Sequence, residues 1–181
     1  MYLKSLLSSL MALLIVSAPL RATESLTPEA AAACQIAFSL SCFLEEKFGL
    51  VPLFDTVLPQ GGKYSMGLSL KTPRLFSLEE GRALLVNCTQ EVAKAVNASP
   101  EARSYFAPAG RYKPEELNLS ICAMLPDGSP VVFPDILFFE ADKGMFFYKV
   151  WQGAGFEELL SHQESYKEAL VAMDQEQTRA A

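Results

Sequence analysis

Two short segments constrain this chain more than any others. Ile136-Leu-Phe-Phe139 and Met145-Phe-Phe-Tyr148 are apolar at every position, and Asp142-Lys143-Gly144 stands between them as a turn. Alternate side chains of a strand point to opposite faces, so both faces of such a hairpin must be kept from water. One helix layer covers only one face. The pattern predicts either that helices pack on both faces of a sheet or that one face carries an aromatic patch for a partner. Cover by helices is the expectation, with the first helix of the chain on the second face.

Periodicity places the other elements. Thr27-Pro28-Glu29 combines a hydroxyl cap, a proline in the first turn and an acid suited to the helix dipole, and opens a helix that should run to about Phe48. Gly49 ends it in the left-handed conformation. Residues 50–62 contain Pro52, Pro59, Gly61 and Gly62 and read as a loop. Tyr64, Met66, Leu68 and Leu70 alternate with polar or small residues, which is a half-buried strand. Ser77-Leu-Glu-Glu80 is a capping box for a second helix, whose apolar stripe includes Leu85, Cys88, Val92 and Val96 and which Ser99-Pro100 closes. Alternation returns from Glu116 to Leu125, Pro126-Asp-Gly128 turns the chain, and the aromatic hairpin follows. Phe156–Met173 reads as a last helix. The order predicts an α+β fold: a two- or three-layer sandwich with a four-stranded, mostly antiparallel sheet between N-terminal and C-terminal helices.

The N-terminus predicts export. Lys4 is followed by an apolar run from Ser5 to Ala18, then Pro19, Arg21 and Ala22. That run is shorter than the roughly 20 apolar residues of a membrane span and suits a secretory leader. We expect residues 1–22 to be a signal peptide cleaved after Ala22, residues 23–62 to form a helix and loop packed on the domain, and residues 63–181 to form the α+β domain. The product would be secreted or periplasmic, with no membrane span once the leader is gone. Ala31-Ala-Ala-Cys34 looks like a lipid-attachment box but lies too far past the apolar run to serve as one. Loss of the leader removes Lys4 and Arg21 and no acid, taking the formal net charge from −6 to −8. So acidic a body is unsuited to nucleic acid, which requires clustered Lys and Arg.

Candidate chemistry is sparse. Export implies an oxidising compartment, where four cysteines suggest disulfides. Cys34 and Cys42 lie about 12 Å apart along one helix, too far to join each other. A bridge from Cys34 or Cys42 to Cys122 is the expected link, with Cys88 a buried small apolar residue on its stripe. No pair has CxxC spacing, so neither a metal site nor a thioredoxin-like motif is indicated, and no cofactor is expected. His162 stands among polar residues and reads as exposed, without a catalytic partner. The adjacent acids at Glu45-Glu46, Glu79-Glu80, Glu115-Glu116 and Glu157-Glu158 point about 100° apart if helical, and read as helix starts and solvated surface. Phe138, Phe146, Tyr148 and Trp151 are the candidates for a protein-binding surface.

Lys71-Thr-Pro-Arg74, Pro126-Asp-Gly128 and Glu164-Ser-Tyr-Lys-Glu-Ala-Leu170 resemble segments of uncharacterised exported proteins of obligate intracellular bacteria, a likeness covering residues 63–173. The resemblance implies a bacterial, host-associated setting and brings no activity or site residues with it. The expected function is that of a non-catalytic binding or scaffold module of the periplasm or cell exterior. The alternative is a secreted enzyme whose site is dispersed in the fold; its mark would be a pocket lined by convergent titratable groups.

Overall fold

The computed structural model describes residues 26–108, 110–125, 127, 136–152 and 157–180. The expected leader and the Pro126 and Gly128 positions of the expected turn lie outside the described residues. Helix α1 spans Pro28–Phe48, capped by the Thr27 hydroxyl at one end and by Gly49 (φ 69°) at the other. Strands β1 (Val51–Gln60) and β2 (Lys63–Thr72) form a hairpin across Gly61 and Gly62, whose positive φ values (57° and 77°) suit the tight turn. Helix α2 (Leu78–Ala98) opens on the reciprocal Ser77–Glu80 capping box, and α3 (Pro100–Phe106) follows directly. A short 3-10 turn, Pro114–Glu116, leads into β3 (Asn118–Ala123). Then come β4 (Phe138–Asp142), β5 (Met145–Gln152), β6 (Glu157–Ser165) and α4 (Tyr166–Ala180).

The fold is α+β, as expected, but the sheet has six strands rather than four, in the order β1 to β6. Only β2 and β3 pair in parallel, joined across α2 and α3; the other neighbours are antiparallel. Two segments depart from the sequence reading. Residues 51–60, read as loop because of their prolines, are strand β1. Proline is tolerated because β1 is an edge strand, and the ladder slips between Pro52 and Phe54. Residues 157–165, read as helix, are strand β6. Pairing with β6 covers what would otherwise be the open edge of the apolar β5, and that tertiary gain outweighs local helix preference.

One parity of the sheet carries the core. Met66, Leu68 and Leu70 of β2, Leu119 and Ile121 of β3, Phe139 of β4, and Phe146 and Tyr148 of β5 are all buried on the same side. Every described helix meets that side. Ser41 of α1 donates to Asp55 of β1 at 2.5 Å, Tyr105 of α3 packs on Tyr64, Gly81 of α2 faces Phe139, and Tyr166 of α4 stacks edge-on against Phe146. The expected placement of α1 on the second face is therefore wrong. Among the described residues that face is polar or half-buried from β2 to β5 (Ser65, Gly67 and Ser69; Asn118, Ser120 and Cys122; and a Lys149–Glu140 ion pair between the aromatics of β4 and β5), while on the edge strand β1 it exposes Phe54 and Leu58 at 62% and 64%. No helix among the described residues is long and apolar enough to cross a membrane.

Helix and sheet approach closely at Gly81, where an added Cβ would lie 2.1 Å from a ring carbon of Phe139. Alanine normally gains about 1 kcal/mol over glycine inside a helix. Here the fully buried Phe139 has nowhere to move, so Gly81→Ala should instead lose about 1–3 kcal/mol. Urea unfolding reads the sign directly, and a variant more stable than the parent would contradict this contact.

Candidate functional site

The residues singled out by sequence are not brought together. Phe146 and Tyr148 are 1% and 0% exposed and belong to the core, which removes both from any partner surface. Phe138 is half-buried on the opposite face, and Trp151, carried on β5, has its side chain outside the described residues. All four cysteines are free thiols, so the expected bridge from Cys34 or Cys42 to Cys122 is not formed. The physical reason is the placement of α1: it packs on β1 and β2 from the core side, while Cys122 points from β3 to the other side. Cys88 is fully buried, as its stripe implied, and burial pushes its thiol pKa far up.

Two polar clusters emerge that the sequence did not indicate. The first joins α2, β5, β6 and α4. Arg82 Nε donates to Glu164 Oε1 at 2.8 Å, Arg82 Nη1 donates to Glu176 Oε1 at 2.5 Å, and Tyr148 Oη donates to Glu164 Oε1 at 2.7 Å. Burial works against the Arg82 charge, but the hydrogen bond and charge of Glu164, with Glu176 beyond, outweigh it and hold the guanidinium above its usual range. Burial likewise pushes the Tyr148 phenol far up, and its bond to Glu164 adds to the effect. His162 is half-buried beside this group, with Nε2 3.6 Å from Glu164 Oε2, on the wall of an open groove of about 540 Å³. The buried donors and acceptors of this cluster answer one another. It therefore acts as a lock between elements distant in sequence, with little capacity left for a ligand.

The second cluster is different. Below the β1–β2 turn, where β2 and β3 begin, lies a cavity of about 300 Å³. Lys63 and Ser65 come from β2, Asn118 from β3, Glu116 from the 3-10 turn, Lys143 from the β4–β5 turn and Tyr112 from the connection after α3. Local chemistry fixes several of them. Asn97, near the end of α2, accepts from the Tyr112 backbone N at 2.9 Å and donates to the Tyr112 backbone O at 2.8 Å, so one amide holds this irregular segment as a strand partner would. Glu116 is anchored through Oε2, which accepts from Lys113 N at 3.2 Å. The tip of the β4–β5 turn sits close on the 3-10 turn: a Cβ at Gly144 would lie 3.2 Å from Glu115 Cβ.

Beside this cavity one group is sealed off without a partner. Tyr112 is 3% exposed, and its hydroxyl has no hydrogen-bond partner among the described residues. Leaving such a hydroxyl unpaired costs about 1–3 kcal/mol, so buried polar groups without partners are few. Burial, reinforced by the Glu116 charge, pushes the phenol pKa well up. Lys63 Nζ stands 3.4 Å from Glu116 Oε1, a loose pair with each side chain about one-third exposed. Among the described residues, no group of three His, Cys, Asp or Glu side chains is placed to hold a metal ion.

Sequence reasoning passed over Tyr112, Lys63, Asn97 and Asn118. The Lys113-Pro-Glu-Glu116 step was readable as a local turn, but nothing in it marks the preceding tyrosine as buried. No family model matches the chain, and neither a curated protein nor a solved structure matches it.

The lock makes a quantitative demand. Arg82→Met leaves the Glu164 carboxylate buried without its cation and should cost about 3–5 kcal/mol in chemical denaturation. Adding Glu164→Gln should recover much of that loss. Equal losses in the single and double variants would mean that the pair is not what holds these elements.

Proposed function

We propose that this protein is an exported, non-catalytic binding module of the periplasm or cell exterior, and that it holds a small polar molecule in the cavity beneath the β1–β2 turn. The observation that carries the reading is the cavity itself, about 300 Å³, on which Lys63 and Ser65 of β2, Asn118 of β3 and Glu116 of the 3-10 turn converge. The cavity lies at the lower end of the size range of small-molecule sites, about 300–1,000 Å³, and combines ring faces with a few convergent polar groups.

Convergent titratable groups also mark enzymes, and Lys63, Glu116 and Tyr112 do converge. Binding is the better reading because the two charges lie opposite each other as a pair. The set is suited to gripping a molecule; it offers no activated nucleophile.

Two outcomes test the reading. Full-length protein incubated with the small-molecule fraction of the producing cell should retain a defined mass in native mass spectrometry. Lys63→Met should weaken retention about tenfold, since a hydrogen bond to a charged group is worth about 1.5–3 kcal/mol. The same variant should unfold about as easily as the parent, because its loose, partly exposed pair with Glu116 contributes about 0–1 kcal/mol. Retention of no adduct, or equal retention by both proteins, would sink the proposal. For export, N-terminal sequencing of protein recovered from the cell envelope or medium should begin at Thr23; an intact chain confined to the cytoplasm would contradict it.

A further inference from the structure

The outer edge of β1 and the flank of α1 beside it form a surface that is complementary to itself. We infer that the chain pairs there with a second copy of itself. β1 meets β1 in antiparallel register about a two-fold axis at Thr56, and the two α1 helices lie side by side. The surface is separate from the cavity, so the two readings are tested independently.

Three observations carry the inference. The first is the strand edge. β1 ends the sheet and has no neighbour on its outer side among the described residues. Gln60 and Lys63 flank a two-residue turn and therefore form a hydrogen-bonded pair. Counting back by twos, Leu58, Thr56 and Phe54 bond to β2, and the backbone of Val57 and Asp55 faces outward. Pro52 and Pro59 also fall at outward positions, where they take no donor from the β2 ladder and bound the open stretch. With Thr56 opposite Thr56 of the second copy, Asp55 exchanges both backbone hydrogen bonds with Val57 of that copy. The same register sets the exposed Phe54 opposite the exposed Leu58, with Cβ atoms about 5 Å apart, close enough to pack.

The second is the helix layer, which arrives at the same axis by its own geometry. Lys47 of α1 reaches Glu91 of α2, so that flank of α1 looks toward the middle of the molecule. Phe38 lies about 180° round the helix from Lys47, on the flank that looks out past β1, and is 59% exposed. The Ser41–Asp55 bond levels α1 with β1. One strand residue further on, at Thr56, is about 3.3 Å along, or about two helix residues, which is within a residue of Phe38. An axis through Thr56 therefore passes close to Phe38, sets it against its own copy, and brings Cys34 opposite Cys42. A strand edge alone falls short of the roughly 1,200–2,000 Å² that stable interfaces bury, and the helix layer enlarges the seam toward that size. The third observation is charge. No residue of α1 between Glu29 and Glu45 is charged, and Asp55, held by Ser41, is the sole charge of β1. The opposite edge strand, β6, carries Glu157 and Glu158, the kind of charge that keeps an edge unpaired. For a chain of net charge −6, an uncharged seam is where two copies approach without repulsion.

Sedimentation equilibrium of the protein purified from its producing cell should give twice the chain mass. Thr56→Lys sets two ammonium groups against each other at the axis, and Phe38→Lys does so in the helix layer; each should weaken association at least tenfold. Both side chains are exposed, so the circular dichroism of either variant should match the parent. Val171→Lys changes an exposed apolar residue of α4, at the other end of the sheet, and should leave the dimer intact. A short bis-maleimide should join Cys34 of one copy to Cys42 of the other. Cys34→Ser or Cys42→Ser alone should abolish that product, because like cysteines then stand about 12 Å apart along the helices. The inference is overturned by a monomer at the highest soluble concentration. It is equally overturned by a dimer that either seam variant leaves intact or that Val171→Lys breaks, and by a cross-link that is absent or persists without Cys34.

Discussion

The structure depends on a single arrangement: all the described helices pack on one side of the sheet, and the strands reserve one parity of their side chains for that side. From β2 to β5 the inward residues are almost wholly apolar, and the outward ones are serine, glycine, asparagine, cysteine and charged pairs, with Phe138 and Phe147 as aromatic exceptions. A one-residue slip in any strand would turn this pattern inside out, which fixes the register. The same rule accounts for the free thiols. Cys34 and Cys42 travel with α1, Cys88 is sealed beneath α2, and Cys122 points away from all three.

Within the helix side, polar groups are used in two opposed ways. Around Arg82, Glu164 and Tyr148, distant elements are joined by buried groups that answer each other, so charge there specifies assembly. Around Tyr112 the backbone is clamped by Asn97 while the hydroxyl is left over. An arginine, a glutamate and a histidine gathered in a groove look like chemistry, yet the buried groups among them already answer one another.

Much of the fold was legible in the chain itself. The caps of α1 and α2, the alternation of β2 and β3, and the Lys143–Gly144 turn are local signals, and local hydrogen bonding enforces them. The edges of the sheet were not legible. Pro52 and Pro59 speak against a strand unless one knows that β1 lies at an edge, and Glu157–Ser165 becomes a strand because β5 needs a neighbour. The aromatic hairpin was legible only in part: Phe146 and Tyr148 are ordinary core, while Phe138 and Phe147 lie half-buried on the face that no described helix covers. The cavity was the least legible feature, because its residues come from turns and strand ends that only the finished fold brings together.

That dispersal has a kinetic meaning. The hairpin of β1 and β2 can close on its own, but β3 reaches its place beside β2 only after the chain has laid down two helices and the Tyr112 segment. Non-local, parallel pairing of this kind forms late, because loop-closure entropy is spent before the contacts return it. The floor of the cavity is thus among the last pieces to assemble, and a molecule seated between Lys63 and Glu116 would act as a keystone, fastening the seam where the two halves of the sheet meet.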